Sequence, residues 1–290
     1  MRHHFLITTS ILLCLFSQAQ EAKKDTTPKP IPEAKSFVTK HQGVFGGKTI
    51  DYTTTAKETF LTNKDGDSIA TFWSVAYTKT SMGDLTKRPV TFVFNGGPGS
   101  ASMWLHMGFF GPKIVQVDSD AKNDDGAAPY NLVRNENGLL DITDLVFIDP
   151  VGTGYSRLVG KGEGKDFYGL KEDVDSFAQF IRKWVTENER WFSPKYLAGE
   201  SYGTTRAAAL GKALEESGQN MALNGMILIS QALDYAGSTS EPNNITSFIT
   251  YLPSMAATAW YHKKAGQGKT LESFTQECRD FTYNTYASTL

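Results

Sequence analysis

The chain has 290 residues, 40% of them hydrophobic, and its 29 Lys and Arg against 31 Asp and Glu leave a formal net charge of −2. That is enough apolar material for a sizeable core, and a nearly neutral chain without a basic arm or a repeat excludes a nucleic-acid-binding footprint. Of its two cysteines, Cys14 falls in a leader-like segment, so Cys278 alone would remain and no internal disulfide could form.

The first 19 residues read as a signal peptide: Met1-Arg2-His3-His4 precedes an apolar run from Phe5 to Phe16, and the small residues Ser17 and Ala19 suit cleavage before Gln20. The run is short for a membrane span, and Leu13 stands where a lipoprotein signal would want a small residue. The expectation is an exported chain, periplasmic or secreted, with no stable membrane anchor. Residues 20–36 are rich in Lys, Thr and Pro and poor in large apolar side chains, which marks a solvated linker. His41 borders it.

Residues 44–62 and 69–79 alternate Thr, Tyr, Phe, Val and Ile with polar positions around Asn63-Lys64-Asp65-Gly66-Asp67, the pattern of an antiparallel hairpin. Pro89-Val90-Thr91-Phe92-Val93-Phe94 is an apolar strand running into Asn95-Gly96-Gly97-Pro98-Gly99-Ser100. A strand that ends in such a glycine-rich loop can aim backbone N–H groups at a developing oxyanion. His106 follows that loop, where an ordinary core or rim role is the expectation. A second apolar run at 145–149 leads into Asp149-Pro150-Val151-Gly152-Thr153-Gly154-Tyr155-Ser156. Val174, Phe177, Ile181, Trp184 and Val185 then share one stripe of a helix.

Trp191-Phe192-Ser193-Pro194 ends that helix, and Tyr196-Leu197-Ala198 forms a short strand entering Gly199-Glu200-Ser201-Tyr202-Gly203. This is GxSxG between strand and helix, the context of a nucleophile elbow, with Ser201 as the nucleophile. The following helix carries Ala207, Ala208, Leu210 and Leu214 and has Gly218 as its stop. A third apolar run, 226–230, completes a set of strands that suit parallel pairing with both faces buried. Strands alternating with helices predict right-handed βαβ crossovers and a ligand site at the strands' carboxyl ends, where Asn95, Asp149 and Ser201 all fall. From Tyr235 onward, aromatic and Ala-rich segments around 251–262 and 271–286 have helical spacing.

The loop Asn95 to Gly99, the elbow Gly199 to Gly203, the segment from Asn131 to Ser156 and the strand and turn Asn224 to Asp234 occur in consistent order over about residues 40–290. Together they resemble the serine carboxypeptidase family of α/β hydrolases. The resemblance implies an α/β-hydrolase fold, with a mixed, mostly parallel sheet flanked by helices. It further implies a hydrolase core over 37–235 and the start of a helical cap over 236–290. By the same resemblance the N–H groups of Gly97 and Tyr202 form the oxyanion hole, Asn95, Gly96 and Glu200 hold the terminal carboxylate of a peptide substrate, and no metal or cofactor is needed.

Three features depart from the family pattern. Phe109 stands where several members carry a glutamate that would pair with Glu200, Val93 where a tryptophan often precedes the loop, and Ser100 where a cysteine is common. An acid and a His are expected after the nucleophile, in that order, yet the sole histidine downstream of Ser201 is His262. His262 with Asp234 or Glu241 forms a fallback pair; neither His262 nor Asp234 matches the family's triad positions, so the chain reads as the N-terminal portion of a longer enzyme. An exopeptidase, an esterase or acyltransferase on the same scaffold, and a non-catalytic chain all remain open from these residues.

Overall fold

The computed structural model describes residues 31–80, 83–117, 128–216, 220–235, 237 and 243–290. The leader, with His3, His4 and Cys14, lies outside the described residues, as do Gly218 and Glu241.

The frame is a mixed sheet in the order β1 (Ser36–Phe45), β2 (Lys48–Thr62), β3 (Ser68–Lys79), β7 (Asp144–Asp149), β4 (Val90–Phe94), β9 (Lys195–Glu200) and β10 (Gly225–Ile229), with β8 (Arg157–Leu158) beside β3. Three strands come first: β1 (Ser36–Phe45), β2 (Lys48–Thr62) and β3 (Ser68–Lys79), paired antiparallel in sequence order. The expected hairpin is present between β2 and β3. Its turn is tied by Asn63 Oδ1, which accepts from the N–H groups of Asp65 and Asp67 at 3.0 and 2.9 Å, and by Gly66 at φ +86°. The expectation that residues 44–62 form one strand fails: the chain reverses at Gly46 and Gly47, at φ +53° and +74°. β1 starts at Ser36, ahead of the first strand that the sequence pattern marks. β1 is exposed along most of its length, so no alternation of apolar and polar residues announces it.

The second half is parallel. β4 (Val90–Phe94) lies between β7 (Asp144–Asp149) and β9 (Lys195–Glu200), and β10 (Gly225–Ile229) flanks β9. The excursion after β4 holds α1 (Met103–Leu105), which continues as a π-turn to Phe110, and the small pair β5 (Lys113–Val115) and β6 (Leu132–Arg134). α2 (Leu170–Glu187) connects β7 to β9 and α3 (Tyr202–Glu216) connects β9 to β10. The connections leave β4 toward one side and return on the other, so the strand order reverses at β4. Loops part at such a reversal, and a crevice opens there at the carboxyl ends.

The core follows from the strand period of two. Phe92, Phe94 and Leu197 point to the face covered by α2 and α3, where they pack with Phe72, Phe177 and Trp184. Val93 and Ala198 point to the opposite face with Leu105, Phe110, Leu145 and Phe147. The predicted stripe of α2 is buried throughout. β10 corrects the expectation of two buried faces: it is the edge strand, and Met226, Ile227 and Leu228 remain 39%, 37% and 41% exposed. The tail is helical, as its spacing predicts. α4 (Thr246–Tyr261) and α5 (Leu271–Phe281) pack on each other, with Ser247 and Thr275 buried.

Candidate active site

β9 delivers Ser201 into a one-residue turn at φ +56°, and α3 begins at the next residue. A non-glycine residue in this region costs on the order of 1–3 kcal/mol and persists only where its surroundings enforce it. Here they do. The Ser201 N–H donates to the Ile229 carbonyl at 3.0 Å, and the Ser201 carbonyl accepts from the N–H and the hydroxyl of Thr204 at 2.9 and 2.7 Å. The two flanking glycines are required by close approach: a Cβ on Gly199 would lie 2.1 Å from the Gly203 carbonyl oxygen, and one on Gly203 would lie 2.9 Å from the Phe94 carbonyl oxygen. Gly96 closes the contact from the other loop, since its Cβ would meet Tyr202 N at 2.5 Å.

The glycine-rich loop and the elbow are thus one structure. Asn95, fully buried, accepts from the Leu105 N–H through Oδ1 at 3.0 Å and donates from Nδ2 to Glu200 Oε2 at 3.0 Å. Glu200 and Ser201 are half-buried beside it. Gly97, at φ +104°, turns the loop, and the Ser100 N–H closes it on the Gly96 carbonyl at 3.0 Å. As the first residue of α3, Tyr202 has an N–H without an intrahelical acceptor. Among the described residues neither it nor the Gly97 N–H has a backbone acceptor outside regular helices and strands.

Asp149 anchors the far end of the loop. Its Oδ1 accepts from the Ser102 N–H at 2.8 Å, the Ser102 hydroxyl donates to the Ile148 carbonyl, and the Ser156 hydroxyl donates to the Asp149 carbonyl at 2.7 Å. Burial raises the Asp149 carboxyl above the usual carboxylate range, opposed by that Ser102 hydrogen bond. A cavity of 290 Å³ opens beside the elbow, walled by Pro98, Gly99, Val151, Tyr168, Asp173 and Tyr202. Among the described residues no group of three His, Cys, Asp or Glu side chains could hold a metal, and no helix is long and apolar enough to cross a membrane.

The structure therefore brings Asn95, Gly96, Gly97, Glu200, Ser201 and Tyr202 together. It does not bring in the fallback pair: no imidazole or carboxylate among the described residues shares a hydrogen bond with the Ser201 hydroxyl. His262 caps the end of α4, exposed, with its ring 5.1 Å from Tyr261, and Asp234 accepts from the Gly237 N–H at 3.1 Å. His106 is a packing residue, stacked on Phe147 at 4.2 Å and sharing a 2.6 Å hydrogen bond with the Tyr77 hydroxyl. His41 lies in β1, stacked on Tyr52. Cys278 is free in α5, and the Phe109 side chain is exposed. Sequence reasoning passed over Arg206 and Asp173, both buried against the site. The signal was available, because Asp173 lies four residues before Phe177 and Arg206 four before Leu210, which puts both on buried helix faces.

The arrangement packs a serine elbow against a glycine-rich loop at the carboxyl ends of the parallel strands. The serine carboxypeptidase family model matches residues 51–288. Among curated proteins, the pheromone-processing carboxypeptidase KEX1 of Saccharomyces cerevisiae is 30% identical over 63% of this chain and 24% of its own length. The protein of the same name from Yarrowia lipolytica is 26% identical over 93% of this chain and 38% of its own. The human retinoid-inducible serine carboxypeptidase is 28% identical over 73% of this chain and 41% of its own. The chain thus spans less than half the length of each of these curated relatives. Among solved structures, the prohormone-processing carboxypeptidase from S. cerevisiae superposes with a TM-score of 0.54 at 20% identity, covering 80% of this chain and 48% of that one, which supports the α/β-hydrolase fold. With the family model spanning residues 51–288 and the elbow, loop and strand order in place, the chain belongs to the serine carboxypeptidase family.

Proposed function

We propose that the enzyme to which this chain contributes removes C-terminal residues from peptides through an acyl-enzyme at Ser201. The Ser201 hydroxyl attacks the carbonyl of the last peptide bond, its proton passes to a base, and the N–H groups of Gly97 and Tyr202 hold the oxyanion. The leaving amine departs protonated, and water then releases the acyl group. Glu200, supported from beneath by Asn95 and with Gly96 beside it, meets the substrate's terminal carboxylate. Because two carboxylates repel, this contact needs one proton held between the two groups. The observation that carries the reading is the 3.0 Å hydrogen bond from Asn95 Nδ2 to Glu200 Oε2, which ties the glycine loop to the residue before a serine held at φ +56°. Export follows from the leader-like N-terminus, with cleavage near Ala19.

The test compares a blocked dipeptide, its C-terminal amide and a simple ester on the active enzyme. Ser201→Ala abolishes turnover of all three and labelling by a fluorophosphonate probe, a loss of about 10⁴-fold or more. Glu200→Gln changes kcat/KM for the free-carboxylate peptide and leaves the ester within about twofold. Undiminished labelling in Ser201→Ala overturns the nucleophile; equal effects of Glu200→Gln on peptide and ester favour the esterase or acyltransferase reading.

A further inference from the structure

Arg206 is a fully buried cation one turn into the nucleophile helix, and the reaction as described does not use it. Taking a guanidinium out of water is costly unless its donors and faces are answered, so its partners show what it holds. Nε donates to Asp173 Oδ2 at 2.8 Å, Nη1 to the Asn95 carbonyl at 2.7 Å, and Nη2 reaches the Pro98 carbonyl at 3.5 Å. The guanidinium carbon lies 4.4, 5.4 and 5.3 Å from the ring centroids of Phe177, Phe94 and Tyr202. The Tyr202 side chain interacts with Asp173 in turn.

The Asn95 and Pro98 carbonyls bracket the two glycines of the loop, and Gly97 supplies one oxyanion donor in the proposed reaction. The other donor is the N–H of Tyr202, whose ring is clamped by the same guanidinium and the same carboxylate. One side chain from α3 therefore fixes both segments whose N–H groups must converge on a single oxygen. A buried ion pair is weak evidence of stabilisation, since well-packed apolar residues of similar volume often replace one at little net cost. We propose that Arg206 and Asp173 are positioning residues of the oxyanion hole, holding the Gly97 and Tyr202 donors in register with Ser201. The inference rests on the serine reading above.

The test measures kcat and KM per active site for Arg206→Met, Arg206→Lys and Asp173→Asn on the ester and the blocked dipeptide. Ser201→Ala is the control, and sites are counted by stoichiometric fluorophosphonate titration so that unfolded protein does not contribute. Because misaligned donors weaken binding of the transition state more than of the substrate, Arg206→Met lowers kcat about 10- to 100-fold on both substrates, with KM within about twofold. Arg206→Lys recovers part of the loss, since it still reaches one carbonyl, and Asp173→Asn falls between. If Arg206→Met does not fold, the other two variants read the same quantity. Fewer titratable sites with unchanged kcat per site would show a purely structural pair and overturn the proposal. Activity retained in Ser201→Ala overturns the serine reading and this inference with it; an inactive Ser201→Ala beside wild-type kcat in all three variants overturns this inference alone.

Discussion

The two ends of the parallel sheet both bury polar groups, and they do so to opposite effect. At the amino end, Asp144 is fully buried and accepts from Arg88 Nε at 2.9 Å, from the Lys79 N–H at 3.0 Å and from Arg190 Nη1. The two arginines spend their other donors on the carbonyls of Leu140, Thr143, Arg88 and Pro89 and on the Ser193 hydroxyl. Lys195 closes the set on the Ser193 and Trp191 carbonyls. At the carboxyl end, Arg206 and Asp173 are buried too, but what they hold still presents open groups: a half-buried serine, a half-buried glutamate and two N–H groups without a backbone acceptor outside regular helices and strands among the described residues. Burial of charge is common to both ends. What distinguishes a site is donors left over after the lattice is satisfied.

The amino-end lattice holds the fold and takes no part in the chemistry. Asp144→Asn leaves the buried Arg190 guanidinium and the part-buried Arg88 guanidinium without their carboxylate, and removing one partner of a buried ion pair costs about 3–5 kcal/mol. The expected result is that much loss in urea-melt stability with kcat per active site unchanged. A stable variant with reduced kcat would mean that the amino end communicates with the elbow, contrary to the division drawn here.

His106 follows the glycine loop and yet packs as a closed, satisfied group. Burial between Phe147 and Tyr77 lowers its pKa from 6.5 to about 4, so the folded chain favours the neutral ring. The folded pKa is depressed relative to the unfolded one. Its contribution is therefore fully present above the unfolded value of 6.5 and is lost as pH falls toward 4. By linkage this amounts to about 3 kcal/mol between neutral pH and pH 4. His106→Gln removes the titration, so the acid loss of stability in urea melts becomes shallower by that amount. Equal slopes in the two proteins would remove His106 from the account.

Much of this was legible in the sequence, for physical reasons that differ by element. Gly96, Gly199 and Gly203 stand out because the close approach of loop and elbow tolerates no Cβ, and such requirements fall at fixed spacings along the chain. The stripe on α2 is read directly from helical period. β1 was missed because an exposed strand needs no alternation, and β10 was misread because an apolar run reports composition and not which faces are covered. Asp173 and Arg206 were legible in principle from their buried register, but a charge there carries meaning only once both helices are docked and the partner is known. The Asn95 to Glu200 contact spans 105 positions and belongs to the tertiary structure alone.

The smallest effect tests whether the elbow stores strain. Ser201 sits at φ +56° and is held there by the Ile229 carbonyl and by Thr204. A Cβ in the left-handed region is disfavoured by on the order of 1 kcal/mol or more, whereas glycine adopts it freely. Ser201→Gly removes that Cβ, at the cost of a more flexible unfolded chain. The expected net result is a gain of about 0.5–1 kcal/mol in urea-melt stability together with complete loss of fluorophosphonate labelling. Ser201→Ala keeps the Cβ and the strain, so it loses the labelling without the gain. If the glycine variant is no more stable than the alanine variant, the turn at Ser201 is relaxed in the folded protein and the elbow stores no strain.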